Sequence, residues 1–164
     1  MVKSYSETEV LNLLKKVMDP EIPVLSLVDL GVITKIEFFK DKGVTVFMRP
    51  TFIGCPALHQ MKQDIETRLY GEGFDQVDVK IVHTPAWTSD EISEEGRIAL
   101  KKYGYAPPPK NALIEDIDIL ENVPCPYCDG INTELKSPFG PTLCRSLHYC
   151  RDCREAFQQI KPLS

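Results

Sequence analysis

Positive charge is what this sequence conspicuously lacks. Against 24 Asp and Glu stand 19 Lys and Arg, a net charge of −5. A chain of that balance has no general attraction for nucleic acid or for an anionic membrane surface. Long apolar runs are also missing. Nothing approaches the roughly 20 apolar residues that cross a bilayer, and the amino terminus shows no basic segment followed by an apolar stretch. The sequence therefore predicts a soluble, cytoplasmic protein. Histidine is scarce at 3 residues and tryptophan is single. What remains is ordinary: 43% hydrophobic and 26% charged residues, enough for one modest domain and an appendage.

Cysteine is present but unevenly placed. Cys55 stands alone, and the other five lie between Cys125 and Cys153. In a reducing compartment such clustering argues for metal rather than disulfides. Cys125-Pro-Tyr-Cys128 and Cys150-Arg-Asp-Cys153 are paired Cys-x-x-Cys turns separated by 21 residues, 129 through 149. Each turn presents two sulfurs to one side of an ion, and two turns complete the tetrahedral thiolate shell that Zn²⁺ prefers. Four protein ligands leave no open position, so this zinc is structural. Pro138-Phe-Gly-Pro141 supplies a turn, and Tyr127, Phe139, Tyr149 and Phe157 are candidates for a small core. Cys144 is left over as an apolar contact, an alternative ligand or a reactive thiol, and His148 reads as a surface histidine. From Asn122 onward, five Lys/Arg (136, 145, 151, 154, 161) face four Asp/Glu (129, 134, 152, 155). That near-neutral balance gives no basic stripe for phosphates, so a protein contact is expected rather than nucleic acid.

Residues 1–105 read as an α+β domain in the order helix–strand–strand–helix–strand–helix. Ser6-Glu-Thr-Glu9 has the form of a capping box, and Val10, Leu13, Leu14 and Val17 supply the buried face of a helix reaching about Met18. Asp19-Pro-Glu-Ile-Pro23 is a turn stiffened by two prolines. Val32–Lys40 and Val44–Met48 read as strands about a turn at Asp41-Lys-Gly43, where glycine allows positive φ. A helix follows to about Tyr70, with Leu58, Met61, Ile65 and Leu69 on its buried face, and Gly71-Glu-Gly73 ends it. Val77, Val79 and Ile81 mark a third strand. Ser89 or Asp90 can cap a last helix through Tyr103, and Trp87 is expected to pack. Residues 106–121, beginning Ala106-Pro-Pro-Pro-Lys110, read as a Pro-rich and acidic linker to a zinc module at 122–164.

Between the second strand and second helix lies Arg49-Pro-Thr-Phe-Ile-Gly-Cys-Pro-Ala-Leu-His59. Pro56 suits the first position of a helix, which puts Cys55 at or beside the N-cap. Unpaired N–H groups and the positive end of the helix dipole would stabilise a thiolate there and lower its pKa, and Gly54 leaves the sulfur unshielded. The same cysteine also fits a small buried hydrophobe.

The first domain resembles the SufT-type family of iron–sulfur assembly proteins. The matching residues are Asp19-Pro-Glu-Ile-Pro23, Val28-Asp-Leu-Gly31, Thr51 with Gly54-Cys-Pro56, and Pro85-Ala-Trp87 leading to Ile92 and Gly96-Arg97. The tail, with Cys125-Pro-Tyr-Cys128, Ser137-Pro-Phe-Gly140, Cys144, Tyr149-Cys150, Cys153 and Phe157, is similar to the zinc ribbon of the PaaD family of the phenylacetyl-CoA epoxidase system. It departs at Asp129-Gly130, where glycine usually follows the second cysteine directly, which would relax the turn by one residue. The resemblance implies an accessory role in maturing iron–sulfur or diiron centres of that system, without turnover of substrate. It carries over Glu21, Asp29, Thr51 and Cys55 as residues that converge on one site and handle iron or an iron–sulfur cluster transiently. Oxygenase and reductase subunits are the implied partners, and a homodimer is possible. Two other readings stand beside it: a non-catalytic adaptor that docks through the ribbon as a structural part of the oxygenase, and a Cys55-dependent enzyme with His59 or His83 as base.

Overall fold

The computed structural model describes residues 4–40, 42–111 and 120–162. They fall into two units, Met1–Trp87 and Thr88–Ser164.

The capping box forms as the sequence predicts. Ser6 accepts from the Glu9 amide and the Glu9 carboxylate accepts from the Ser6 amide, opening α1 at Glu7–Leu14 with Val10 and Leu14 buried. The helix ends sooner than Met18. Val17 and Asp19 instead pair with the returning chain: Leu27 N–H donates to Val17 O, and Asp19 N–H donates to Leu25 O. The cause is Asp19, whose carboxylate accepts the Glu21 and Ile22 amides at 2.8 Å each. An Asx turn of this kind competes with the helix for the backbone.

β1 (Ile33–Phe39) runs antiparallel to β2 (Gly43–Met48), and β2 runs parallel to β3 (Gln76–Ile81), giving the order β1-β2-β3. A parallel pair needs a crossover. α2 (Leu58–Gly71) supplies it and buries Met61, Ile65 and Leu69, the face its periodicity predicts. Val44, Val46 and Met48 of the central strand are fully buried with Leu14, Leu25, Leu27, Ile65 and Leu69, and these form the core of the first unit. Gly43 differs from expectation. It lies within β2, and a Cβ there would sit 2.3 Å from Phe39 O, so close approach rather than positive φ requires glycine. Positive φ falls on Lys40; Asp41 lies outside the described residues.

In the second unit, α3 (Glu94–Tyr103) is capped by Ser93, whose hydroxyl accepts from Gly96 N–H. Ser89 begins a single 3₁₀ turn instead of capping the helix. β4 (Tyr105–Ala106), β5 (Thr133–Ser137), β6 (Arg145–Cys150) and β7 (Ala156–Ile160) form a second sheet in the order β4-β7-β6-β5. The sequence places a domain end near Tyr105, whereas the units divide after Trp87. The reason is β4: Tyr105 and Ala106 pair with Gln158 and Gln159, which brings α3 into the second unit. Ala106 is buried in the ribbon core, and buried Arg97 donates to Pro108 O and to Ser89 O, the latter at 2.8 Å. The opening of the expected linker is therefore ordered structure. Residues 112–119 of that linker lie outside the described residues.

Candidate functional site

The first unit brings its site segments together at one end of the sheet. Arg49 leaves the carboxyl end of β2, Val82 leaves the carboxyl end of β3, and Val32 enters β1 beside them. Arg49 N–H donates to Val32 O, and Val82 N–H donates to Met48 O, which fixes this alignment. In sheets with parallel strands, loops beyond the carboxyl ends are the usual place for ligand chemistry. Two buried side chains lock these loops to one another. Trp87 Nε1 donates to Leu30 O at 2.9 Å, and Arg49 Nη1 donates to Pro85 O at 3.1 Å. Arg49 is a positioning residue that sequence reasoning missed. A charged residue closing an apolar strand just before proline was the available signal.

Cys55 sits in the β2–α2 loop at 9% exposure, two residues after the exposed Ile53 at 87%. Gly54 has φ +84, a left-handed conformation suited to glycine, and a Cβ there would meet nothing within 4 Å. The helix does not begin at Pro56. Its N-cap is Ala57, and a turn closed by Leu58 N–H donating to Cys55 O carries the chain from Cys55 into α2. Cys55 thus lies two residues before the cap, with its carbonyl engaged in the turn.

Asp29 and Thr51 are half-buried in loops at the same end of the sheet. Ser26 Oγ donates to Asp29 Oδ2 at 2.6 Å and accepts from the Asp29 amide at 3.0 Å, folding that carboxylate into its own turn. Glu21 stands half-buried at the tip of the turn that Asp19 closes. His59 and His83 are both exposed. Among the described residues, three or more His, Cys, Asp and Glu ligand atoms gather within 4.8 Å of one another only at four ribbon cysteines. Glu21, Asp29 and Cys55 are therefore not a preassembled cage. Replacing Trp87 by Phe should strand the buried Leu30 carbonyl and cost about 1–3 kcal/mol. Urea denaturation followed by circular dichroism measures that loss.

The ribbon holds the other site. Cys125, Cys128, Cys150 and Cys153 have their Sγ atoms within 4.8 Å of one another, and the Cys125–Cys153 and Cys128–Cys150 pairs are 3.6 Å apart. Thiolates about 2.3 Å from a tetrahedral zinc lie about 3.8 Å from each other, so the set fits a single ion. An iron–sulfur cluster, with several irons and bridging sulfides, spreads its thiolates wider. Bound zinc would act here by holding the two turns in one fold. Both knuckles share a geometry. Asp129 at φ 59 and Arg154 at φ 63 each follow the second cysteine of their turn in the left-handed region. The first turn is therefore not relaxed: Asp129 takes the glycine-like conformation itself, with its amide donating to Cys125 O at 2.9 Å. Gly130 serves close packing instead, since a Cβ there would lie 2.5 Å from Asp152 Oδ2 and 3.2 Å from Cys128 Sγ. Because the exposed Asp152 carboxylate can turn aside, Gly130→Ala should speed zinc release to a chromogenic chelator by only about two- to fivefold, at or below the low end of the roughly 1–3 kcal/mol of overpacking.

Backbone N–H groups of Cys153 and Asp152 draw the Cys150 thiol down to about 7, while burial pushes Cys125 and Cys153 up. The ribbon core is Ala106, Val123, Cys125, Cys150 and Phe157, with Cys153 against it. Only Phe157 of the four expected aromatics is buried; Tyr127 and Phe139 are exposed and Tyr149 is half-buried. His148 is fully buried rather than on the surface, stacked on Phe157 and bonded through Nε2 to Ser146 Oγ at 2.8 Å. Burial pushes its imidazole down to about 4. Cys144 precedes β6 while Cys150 ends it, about 20 Å apart at strand rise, which removes it from the ligand set.

Comparison with known proteins agrees with this two-part construction. Residues 7–81 match the family model described as iron–sulfur cluster assembly protein, and residues 112–161 match the PaaD zinc beta ribbon domain. An Escherichia coli (strain K12) protein, named as one subunit of a "Putative 1,2-phenylacetyl-CoA epoxidase", is 35% identical over 153 residues, covering 93% of this chain and 91% of its own. The chain belongs to the PaaD family. Other relatives match a shorter part of the chain. The Fe-S protein maturation auxiliary factor SufT of Staphylococcus aureus (strain USA300) is 37% identical over 51% of this chain and 96% of its own. Among solved structures, a conserved hypothetical protein from Thermotoga maritima is 33% identical with a TM-score of 0.52, covering 63% of this chain and 99% of its own. A domain of unknown function from Bacillus anthracis is 27% identical with a TM-score of 0.54, covering 57% of this chain and 90% of its own. The PaaD ribbon is thus an addition to a fold that also stands without it. Among the described residues, no helix is long and apolar enough to cross a membrane.

Proposed function

We propose that this protein is a cytoplasmic accessory factor that matures the iron–sulfur or diiron centres of a phenylacetyl-CoA epoxidase system. One observation carries the reading: the match to the Escherichia coli protein named as a putative epoxidase subunit covers 93% of this chain, whereas the SufT match covers 51%. The first unit then supplies the iron-handling chemistry and the ribbon directs it to oxygenase and reductase subunits. Cys55 is the soft ligand for iron, with Asp29, Thr51 and Glu21 as its oxygen-bearing neighbours. The open arrangement of these groups suits a carrier, because a complete rigid cage would retain its cargo. In this role the iron or cluster is cargo, and the ribbon zinc stays in place.

An adaptor reading rests on a different observation. The ribbon exposes Tyr127, Ile131, Phe139 and Leu143 at 55–66% of their surface. Cells with and without this chain distinguish the two. Maturation predicts an oxygenase that assembles without it but is purified anaerobically short of iron or acid-labile sulfide. An adaptor predicts fully metallated subunits that do not associate.

A further inference from the structure

The end of α3 rests on the knuckle that carries Cys125 and Cys128. Gly104 caps the helix at φ 97, with its N–H donating to Leu100 O and Lys101 O. A Cβ there would lie 2.5 Å from Tyr127 Oη and 2.9 Å from Tyr127 Cζ, so the phenol lies directly against the cap. Glycine is thus required twice, for its left-handed φ and for this close approach. In the last turn of the helix, Lys101 Nζ donates to Asp129 Oδ1. Both partners belong to the knuckle itself. Tyr127 stands between its two cysteines, and Asp129 follows Cys128 in the left-handed conformation that closes the turn. Directly after Gly104, β4 pairs with β7 and brings Ala106 into one core with Cys125 and Cys150.

A helix of 10 residues has little stability of its own. Its contact with the knuckle is also thin. Tyr127 is 55% exposed, and Lys101–Asp129 is a surface pair of a kind that contributes little alone. Such contacts hold only while the knuckle keeps one shape, and four thiolates on a single ion fix that shape. We propose that Lys101, Gly104 and Tyr127 are positioning residues of the metal site, so that the end of α3 and the zinc-loaded knuckle stabilise each other. Residues 100–106 are ordered when the four cysteines hold zinc. By linkage, an intact helix end tightens the hold on zinc by the same factor. Contacts outside the ligand shell that orient a ligand turn tune metal affinity in this way.

The test uses zinc-loaded, full-length protein and the same protein stripped by a strong chelator under reducing conditions. Amide hydrogen exchange read by mass spectrometry should show residues 100–106 losing protection on stripping, with β1–β3 unchanged. Competition with a chromogenic chelator gives the reciprocal half. Gly104→Ala should weaken zinc binding about fivefold, because it violates both the φ and the Tyr127 contact. Lys101→Met should weaken it about threefold, and Asp129→Asn should add nothing to that loss. Lys101→Arg keeps the ion pair and should restore the wild-type affinity. The proposal is overturned if residues 100–106 keep their protection in zinc-free protein. It is equally overturned if Lys101→Met and Gly104→Ala both bind zinc as tightly as wild type. Loss of protection across β1–β3 as well would also overturn it, since the coupling would then not be local to the helix end. None of these results bears on whether Cys55 handles iron.

Discussion

Serine at Cys125 or Cys150 should leave the protein without its tightly held zinc and with an unfolded ribbon. Both sulfurs belong at once to the ligand set and to the ribbon core, so the substitution removes a metal bond and places a hydroxyl among Ala106, Val123 and Phe157. Metal binding in such modules is folding free energy, on the order of 10–16 kcal/mol for structural zinc. A single core this small cannot replace that amount. Cys125 and Cys150 come from opposite knuckles, so losing either leaves three sulfurs and one frayed turn. The first unit has its own core around Val44, Val46, Met48, Ile65 and Leu69 and should remain folded. Limited proteolysis with metal analysis checks this. The expected outcome is about one zinc per wild-type chain, none in the variant, and a protected fragment ending after the first unit. A zinc-free variant whose ribbon resists protease would contradict it.

The four-cysteine cluster was legible because ligand chemistry fixes spacing: two residues between the cysteines of each pair leave little else those turns can do. The α+β order was legible because periodicity at Leu58–Leu69 and alternation at Val77–Ile81 report directly on buried faces. What escaped was set by long-range packing. The division after Trp87 depends on two residues, Tyr105 and Ala106, pairing with Gln158 and Gln159, and so short a strand has no pattern of its own. His148 looked exposed because polar residues usually are, but it is fully buried beside Phe157. In the candidate iron site the sequence marked the loops and missed their fastening. Asp19-Pro-Glu-Ile-Pro23 reads as a turn stiffened by two prolines, but it is the Asp19 carboxylate, accepting two backbone amides, that closes it. Arg49 reads only as the start of the segment that runs to His59, but it ties the Cys55 loop to the segment after β3.

Cys55→Ser should separate iron handling from folding. Serine nearly matches cysteine in size and fits a site that is 9% exposed, but it is a much poorer ligand for a soft metal centre. The first unit should keep its stability within about 1 kcal/mol, and the ribbon should keep its zinc. Association with oxygenase and reductase subunits should persist, because the ribbon contacts are untouched. Glu21→Gln and Asp29→Asn should give weaker versions of the same defect. The Asp29 variant is expected to be milder, since Ser26 can still hold the amide through its oxygen.

The most direct measurement is the iron and acid-labile sulfide content of the epoxidase subunits, purified anaerobically from cells carrying Cys55→Ser in place of the wild-type chain. Maturation through Cys55 predicts assembled subunits with iron or sulfide reduced several-fold, and a matching fall in phenylacetyl-CoA oxidation. Full metallation and full activity with the serine variant would contradict it.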